Sequence, residues 1–85
     1  MEPTVNQKLQ QAIIAQKEGK IDEAERLYKS ILKTQPTNEN ANHNLGILLV
    51  SQNKSADALP LFKTAVEIKS DIEKFWYSYS YTLIK

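Results

Sequence analysis

VNQKLQQAIIAQKEGKIDEAERLYKSILKTQPTN, residues 5–38, is followed at once by ENANHNLGILLVSQNKSADALPLFKTAVEIKSDI, residues 39–72. Laid over each other at an offset of 34, the two stretches share Asn6/Asn40, Ile13/Ile47, Lys20/Lys54, Ala24/Ala58, Leu27/Leu61 and Lys29/Lys63. Conservative pairs add to these at Ala12/Gly46, Ile14/Leu48, Tyr28/Phe62 and Leu32/Val66. The matches fall at the small and large apolar places that a helical hairpin must bury. A period near 34 with this spacing marks stacked helix–turn–helix units. A third copy opens at Glu73, so the 85 residues read as one domain made of repeats 5–38 and 39–72 and a half repeat 73–85.

Local signals divide each repeat into two helices. Thr4 with Gln7 reads as a capping box opening a helix over 5–18, with Val5, Leu9, Ala12, Ile13 and Ala15 at helical spacing. Gly19 suits the left-handed residue that ends it. Asp22, with Glu25 in the box position, reads as the cap of a second helix striped by Ala24, Leu27, Tyr28, Ile31 and Leu32. That helix stops at Gln35, because the residue before a proline avoids helical geometry. Asn38 opens a third helix over 39–52 carrying Ala41, Leu45, Gly46, Leu48 and Leu49, and Asn53 replaces the turn glycine. A fourth is predicted over 56–69, with Ala58, Leu59, Phe62, Ala65 and Val66 inward and Pro60 near the first turn. Ser70 with Glu73 reads as a further box before a fifth helix bearing Phe75, Trp76, Tyr79 and Leu83. Connections this short force antiparallel neighbours. The predicted fold is all-α, five helices in antiparallel helix–turn–helix repeats stacked as a right-handed superhelical solenoid.

Composition narrows the function. A net charge of +1 and a pI near 7.9 argue against broad electrostatic binding to nucleic acid or to an acidic membrane. No apolar run approaches the roughly 18–20 residues that span a bilayer. The first residues carry neither a basic nor an apolar signal region, which points to a cytoplasmic protein or a domain of a larger one. With no cysteine and one histidine, His43, a catalytic triad, a thiolate site or a histidine-rich metal site has too few members. Asp22, Glu23 and Glu25 cluster where a helix start stabilises negative charge, so they read as structural. Neither catalysis nor a cofactor is expected of these residues.

The residues that repeat resemble the tetratricopeptide repeat. The small residues Ala12, Gly46 and Ser80, the turn residues Gly19 and Asn53, Ala24 and Ala58, the aromatics Tyr28 and Phe62, and Pro36 match its pattern, and Trp76 falls on its tryptophan place. Ser70 departs from it by standing where Pro36 stands. The resemblance implies a core that includes Tyr28, Phe62, Trp76 and Tyr79. It also implies a concave groove lined by the first helix of each repeat. Carried over, the groove comprises Asn6, Leu9, Ile13, Gln16 and Lys17, then Asn40, His43, Asn44, Ile47, Val50 and Ser51, then Lys74, Tyr77, Tyr81, Ile84 and Lys85. Such a surface suits a protein or peptide segment with apolar anchors, and His43 reads as a contact facing it. The carboxylate clamp of chaperone-binding members is matched at Asn44 and Lys74 but not at Leu9, Ile13 and Ser78. The asparagine ladder of glycosyltransferase members reads Gln10, Asn44, Ser78, with one rung intact.

Phe75, Trp76, Tyr79, Leu83 and Ile84 lie on a last helix that no further helix covers, so they are the candidate self-association surface. A longer array, a final cap or a homo-oligomer would each complete that end. The run from Asp71 to Tyr79 also resembles segments of bacterial repeat arrays that precede glycosyltransferase or sulfotransferase domains. Three roles follow: a non-catalytic scaffold for a peptide or partner segment, a self-assembly module, and the acceptor-positioning region of such a transferase.

Overall fold

A computed structural model describes residues 3–84. Its five helices are α1 (Val5–Lys17), α2 (Ile21–Thr34), α3 (Glu39–Ser51), α4 (Ser55–Ile68) and α5 (Glu73–Ile84). The helices keep the period: α1, α3 and α5 start 34 residues apart, as do α2 and α4. Each helix packs on its successor, giving an all-α helix–turn–helix solenoid with extents of 42 × 25 × 18 Å. Antiparallel neighbours follow from the three- and four-residue turns.

The two hairpin turns are built alike. After α1, the Gly19 and Lys20 amides donate to the Gln16 and Ala15 carbonyls, and after α3 the Asn53 and Lys54 amides donate to Val50 and Leu49. Both are Schellman closures needing a left-handed residue, supplied by Gly19 (φ 79°) and Asn53 (φ 62°). The Thr4–Gln7 capping box forms, and the Asn38 carboxamide oxygen accepts from the Ala41 amide at 2.9 Å.

Four local features differ from expectation. The Schellman turn is complete at Lys20, so α2 begins at Ile21 and Asp22 already lies inside its first turn rather than capping it. Glu25 takes no part in a box; it pairs with Lys29 one turn on, at 2.8 Å. The fifth helix begins at Glu73, three residues past Ser70, so Ser70 does not cap it. Pro60 is the sixth residue of α4, beyond the first turn, where its missing N–H leaves the Ala56 carbonyl without its helical donor.

The main core joins Ala12, Ala15, Ala24, Tyr28, Leu45, Leu48, Leu49, Ala58 and Phe62, and a second cluster joins Ala65, Val66 and Phe75. Small residues let paired helices approach: a Cβ added at Gly46 would stand 2.8 Å from two carbons of the Phe62 ring. Trp76 is not buried as its column predicted; it is 44% exposed, and no helix lies over it among the described residues as α4 lies over α3. Ser80 is exposed as well, whereas Ala12 and Gly46 in its column are buried.

Candidate functional site

Alternate helices α1, α3 and α5 share one face, and two cavities open on it, one on each side of α3. The first, of about 630 Å³, is lined by Leu9, Ile13, Gln16 and Lys17 from α1, Asn40 and Asn44 from α3, Lys74 from α5 and Tyr28 from α2. The second, of about 280 Å³, lies between α3 and α5 and is lined by Ile47, Val50 and Ser51 on one side and by Tyr77, Ser78, Tyr81 and Thr82 on the other, with Phe62 at its base. Twelve of the sixteen groove residues read from the sequence therefore line one cavity or the other. Asn6 is exposed on α1 outside both. Ile84 is exposed at the end of α5 and lines neither cavity, and Lys85 lies outside the described residues.

His43 is the exception that matters. It is only 7% exposed, so it does not face the groove. Its Nε2 lies 2.8 Å from the Ser78 hydroxyl, and its ring packs against Phe75 (centroids 4.7 Å apart) and Phe62 (5.6 Å). Burial holds the imidazole below its ordinary pKa; a hydrogen bond from the ring to the Asn44 side-chain oxygen opposes this, and the nearby Lys74 ammonium reinforces the lowering. A neutral ring that fastens α3 to α5 is the result. The cause is Phe75: it fills a column held by Gln7 and Ala41 in the earlier repeats, and its ring reaches under His43.

The two cavities differ in chemistry. In the first, the buried Tyr28 hydroxyl donates to the Gln16 side-chain oxygen at 2.8 Å, and desolvation raises the phenol's pKa. The equivalent pair in the second repeat is Phe62 and Val50, which makes the second cavity apolar at the matching place. Tyr77 and Tyr81, one turn apart on α5, stack with centroids 6.1 Å apart and planes 13° from parallel. Lys17 and Lys74 make no ion pair among the described residues.

The sequence reading missed the loop fastenings. The buried Asn42 amide donates to the Pro36 carbonyl at 3.0 Å, and one repeat later the Trp76 indole N–H donates to the Ser70 carbonyl at 2.6 Å. Donor and acceptor both recur at the 34-residue offset. The shared signal was a side-chain N–H in one column, even though one residue is an amide and the other an indole.

A family model of the tetratricopeptide repeat matches residues 15–77. The chain belongs to the tetratricopeptide repeat family. The match runs from within α1 into α5, taking in both complete hairpin turns and the two left-handed residues that close them. Tetratricopeptide repeats serve generally as protein–protein interaction modules, and their recurring columns here are Ala12/Gly46, Ala24/Ala58 and Tyr28/Phe62. Comparison with curated proteins gave no match. No described helix is long and apolar enough to cross a membrane.

On the terminal helix, the candidate self-association residues divide. Phe75 is fully buried against Ala65 and Val66, and Tyr79 is half-buried against both clusters, so neither offers a free apolar surface. Trp76, Leu83 (56%) and Ile84 (86%) are exposed.

Proposed function

We propose that this chain is a non-catalytic cytoplasmic scaffold that binds a peptide or partner segment across the face formed by α1, α3 and α5. The observation carrying this reading is the pair of adjoining cavities, with exposed Ile47, Tyr77 and Tyr81 beside polar Asn40, Asn44 and Lys74. Apolar anchors gripped between helices, with carboxamides placed to bond a backbone, are the means by which helical grooves hold segments. The test is a titration of isotope-labelled protein with a captured partner, followed by Ile47→Ser and Tyr81→Ser variants checked for helicity. Binding should fall at least tenfold in the double variant. Unchanged binding by a folded variant would place the interface elsewhere.

Self-association is a second reading, favoured by the exposure of Trp76, Leu83 and Ile84 at the end of the stack. Faces equivalent to Trp76 and Leu83 in the earlier repeats are covered by α2 and α4, as the burial of Ala15 and Leu49 illustrates. Sedimentation of the chain from micromolar to millimolar concentration tests it, and a strict monomer throughout would remove it.

A further inference from the structure

The charge on the shared face narrows the class of segment it takes. The cavity between α1 and α3 holds two cationic side chains, Lys17 and Lys74, and the carboxamides of Gln16, Asn40 and Asn44, with no carboxylate among its lining residues. Neither lysine is engaged in an ion pair among the described residues. The cavity on the other side of α3 has no charged residue in its lining and is walled by Ile47, Val50 and the stacked Tyr77–Tyr81 pair. The two cavities share α3 as a wall. A helix with its side chains is about 10–12 Å across, and extended chain advances about 3.3 Å per residue. Crossing α3 therefore takes three to four residues.

We infer that the partner is an acidic segment in which an apolar anchor and a side-chain carboxylate stand three or four positions apart. The anchor sits in the α3–α5 cavity and the carboxylate between Lys17 and Lys74, with Asn40 and Asn44 available to the intervening backbone. This rests on the groove reading above and adds its sign and register. Opposite charge on a ligand favours encounter and orientation here, because the lining has two cations and no acid.

The test uses decapeptides acetylated and amidated at their ends, so that the only carboxylates are side chains. One carries Phe with Glu at the third and fourth following positions in a Gly/Ser background; a second has Gln for both Glu; a third has Gln and a free C-terminal carboxylate. Each is titrated into isotope-labelled protein at low and at 0.5 M salt. The expected result is shifts at Ile47 and Tyr81 together with Lys17 and Lys74, affinity about threefold to tenfold greater for the Glu peptide than for its Gln counterpart, and loss of that margin at high salt. Lys17→Gln/Lys74→Gln should bring the affinity of the Glu peptide down to that of its Gln counterpart. Equal binding of the Glu and Gln peptides on this face would overturn the acidic assignment while leaving the groove intact. Preference for the free C-terminus would likewise overturn it in favour of terminus capture. Shifts confined to other surfaces, or none at any peptide concentration, would remove the groove reading with it.

Discussion

At Gly46 the backbone of α3 passes so close to Phe62 that a methyl group has no place: three ring carbons stand inside contact distance of an added Cβ. The column is not closed in principle, since Ala12 occupies it in the first repeat and is fully buried. What closes it at position 46 is the ring of Phe62, itself wedged beside His43. Gly46→Ala should therefore destabilise the fold by about 1–3 kcal/mol through overpacking, read as a lower urea midpoint with unchanged slope, even though alanine is the better helix former. His43 gives a second residue-level prediction. Its folded-state pKa lies below the ordinary 6.5, so the unfolded chain binds the proton more readily. The stabilisation associated with the neutral ring is complete above pH 6.5, and is lost as pH falls from there toward the lower folded-state value. Urea unfolding of the wild type should weaken across that interval, whereas a His43→Gln variant should stay level through it. Parallel profiles would mean that the histidine titrates alike in both states.

Among the helices, α4 carries a cost that its sequence explains. Pro60 lies at its sixth residue and is exposed, so it contributes no buried packing to offset the lost hydrogen bond at Ala56. An interior proline costs a helix about 3 kcal/mol. Pro60→Ala should restore the bond and stabilise the protein by about 1–3 kcal/mol, seen as a higher melting temperature. Helix identity was legible throughout because the 34-residue period and the helical spacing agree at every element. Caps were legible only where the polar residue directly precedes the helix, as at Thr4 and Asn38. Asp22 and Ser70 were misread because capping boxes recur by chance in polar turns, and the Schellman closure had already used the chain up to Lys20. At the third repeat, the place aligned with Thr4 and Asn38 belongs to Ile72, which packs on the Ala65, Val66 and Phe75 cluster. The start of α5 is therefore held by apolar contact at a place where earlier repeats use a cap.

Across the whole molecule, the stack is strongest in its middle and barest at α5. The third helix packs against α2 and α4 on its sides and meets α5 only lightly, while α5 rests mainly on α4. This asymmetry is why the site was legible in part. Most columns that read as groove positions line the cavities beside α3, but His43 is buried, because Phe75, which stands where the earlier repeats have Gln7 and Ala41, packs against its ring. It also ranks the elements by local stability. Trp76, Leu83 and Ile84 face solvent, and the side-chain bonds that tie α5 down include those of the Trp76 indole to Ser70 and of the Ser78 hydroxyl with His43. Elements with exposed apolar surface and sparse tertiary contact open first in the native state. Amide exchange at low concentration should thus show α5 least protected and α3 most protected, with α5 opening at a fraction of the global unfolding free energy. Self-association through the exposed face adds a dependence that intrinsic fraying lacks. If copies cover Leu83 and Ile84, protection of α5 should rise with protein concentration while that of α1 through α3 stays constant, and Leu83→Lys/Ile84→Lys should erase the rise. A concentration-independent α5, opening ahead of the rest at every dilution, would leave the end of the stack solvent-facing and confine partner binding to the α1–α3–α5 face.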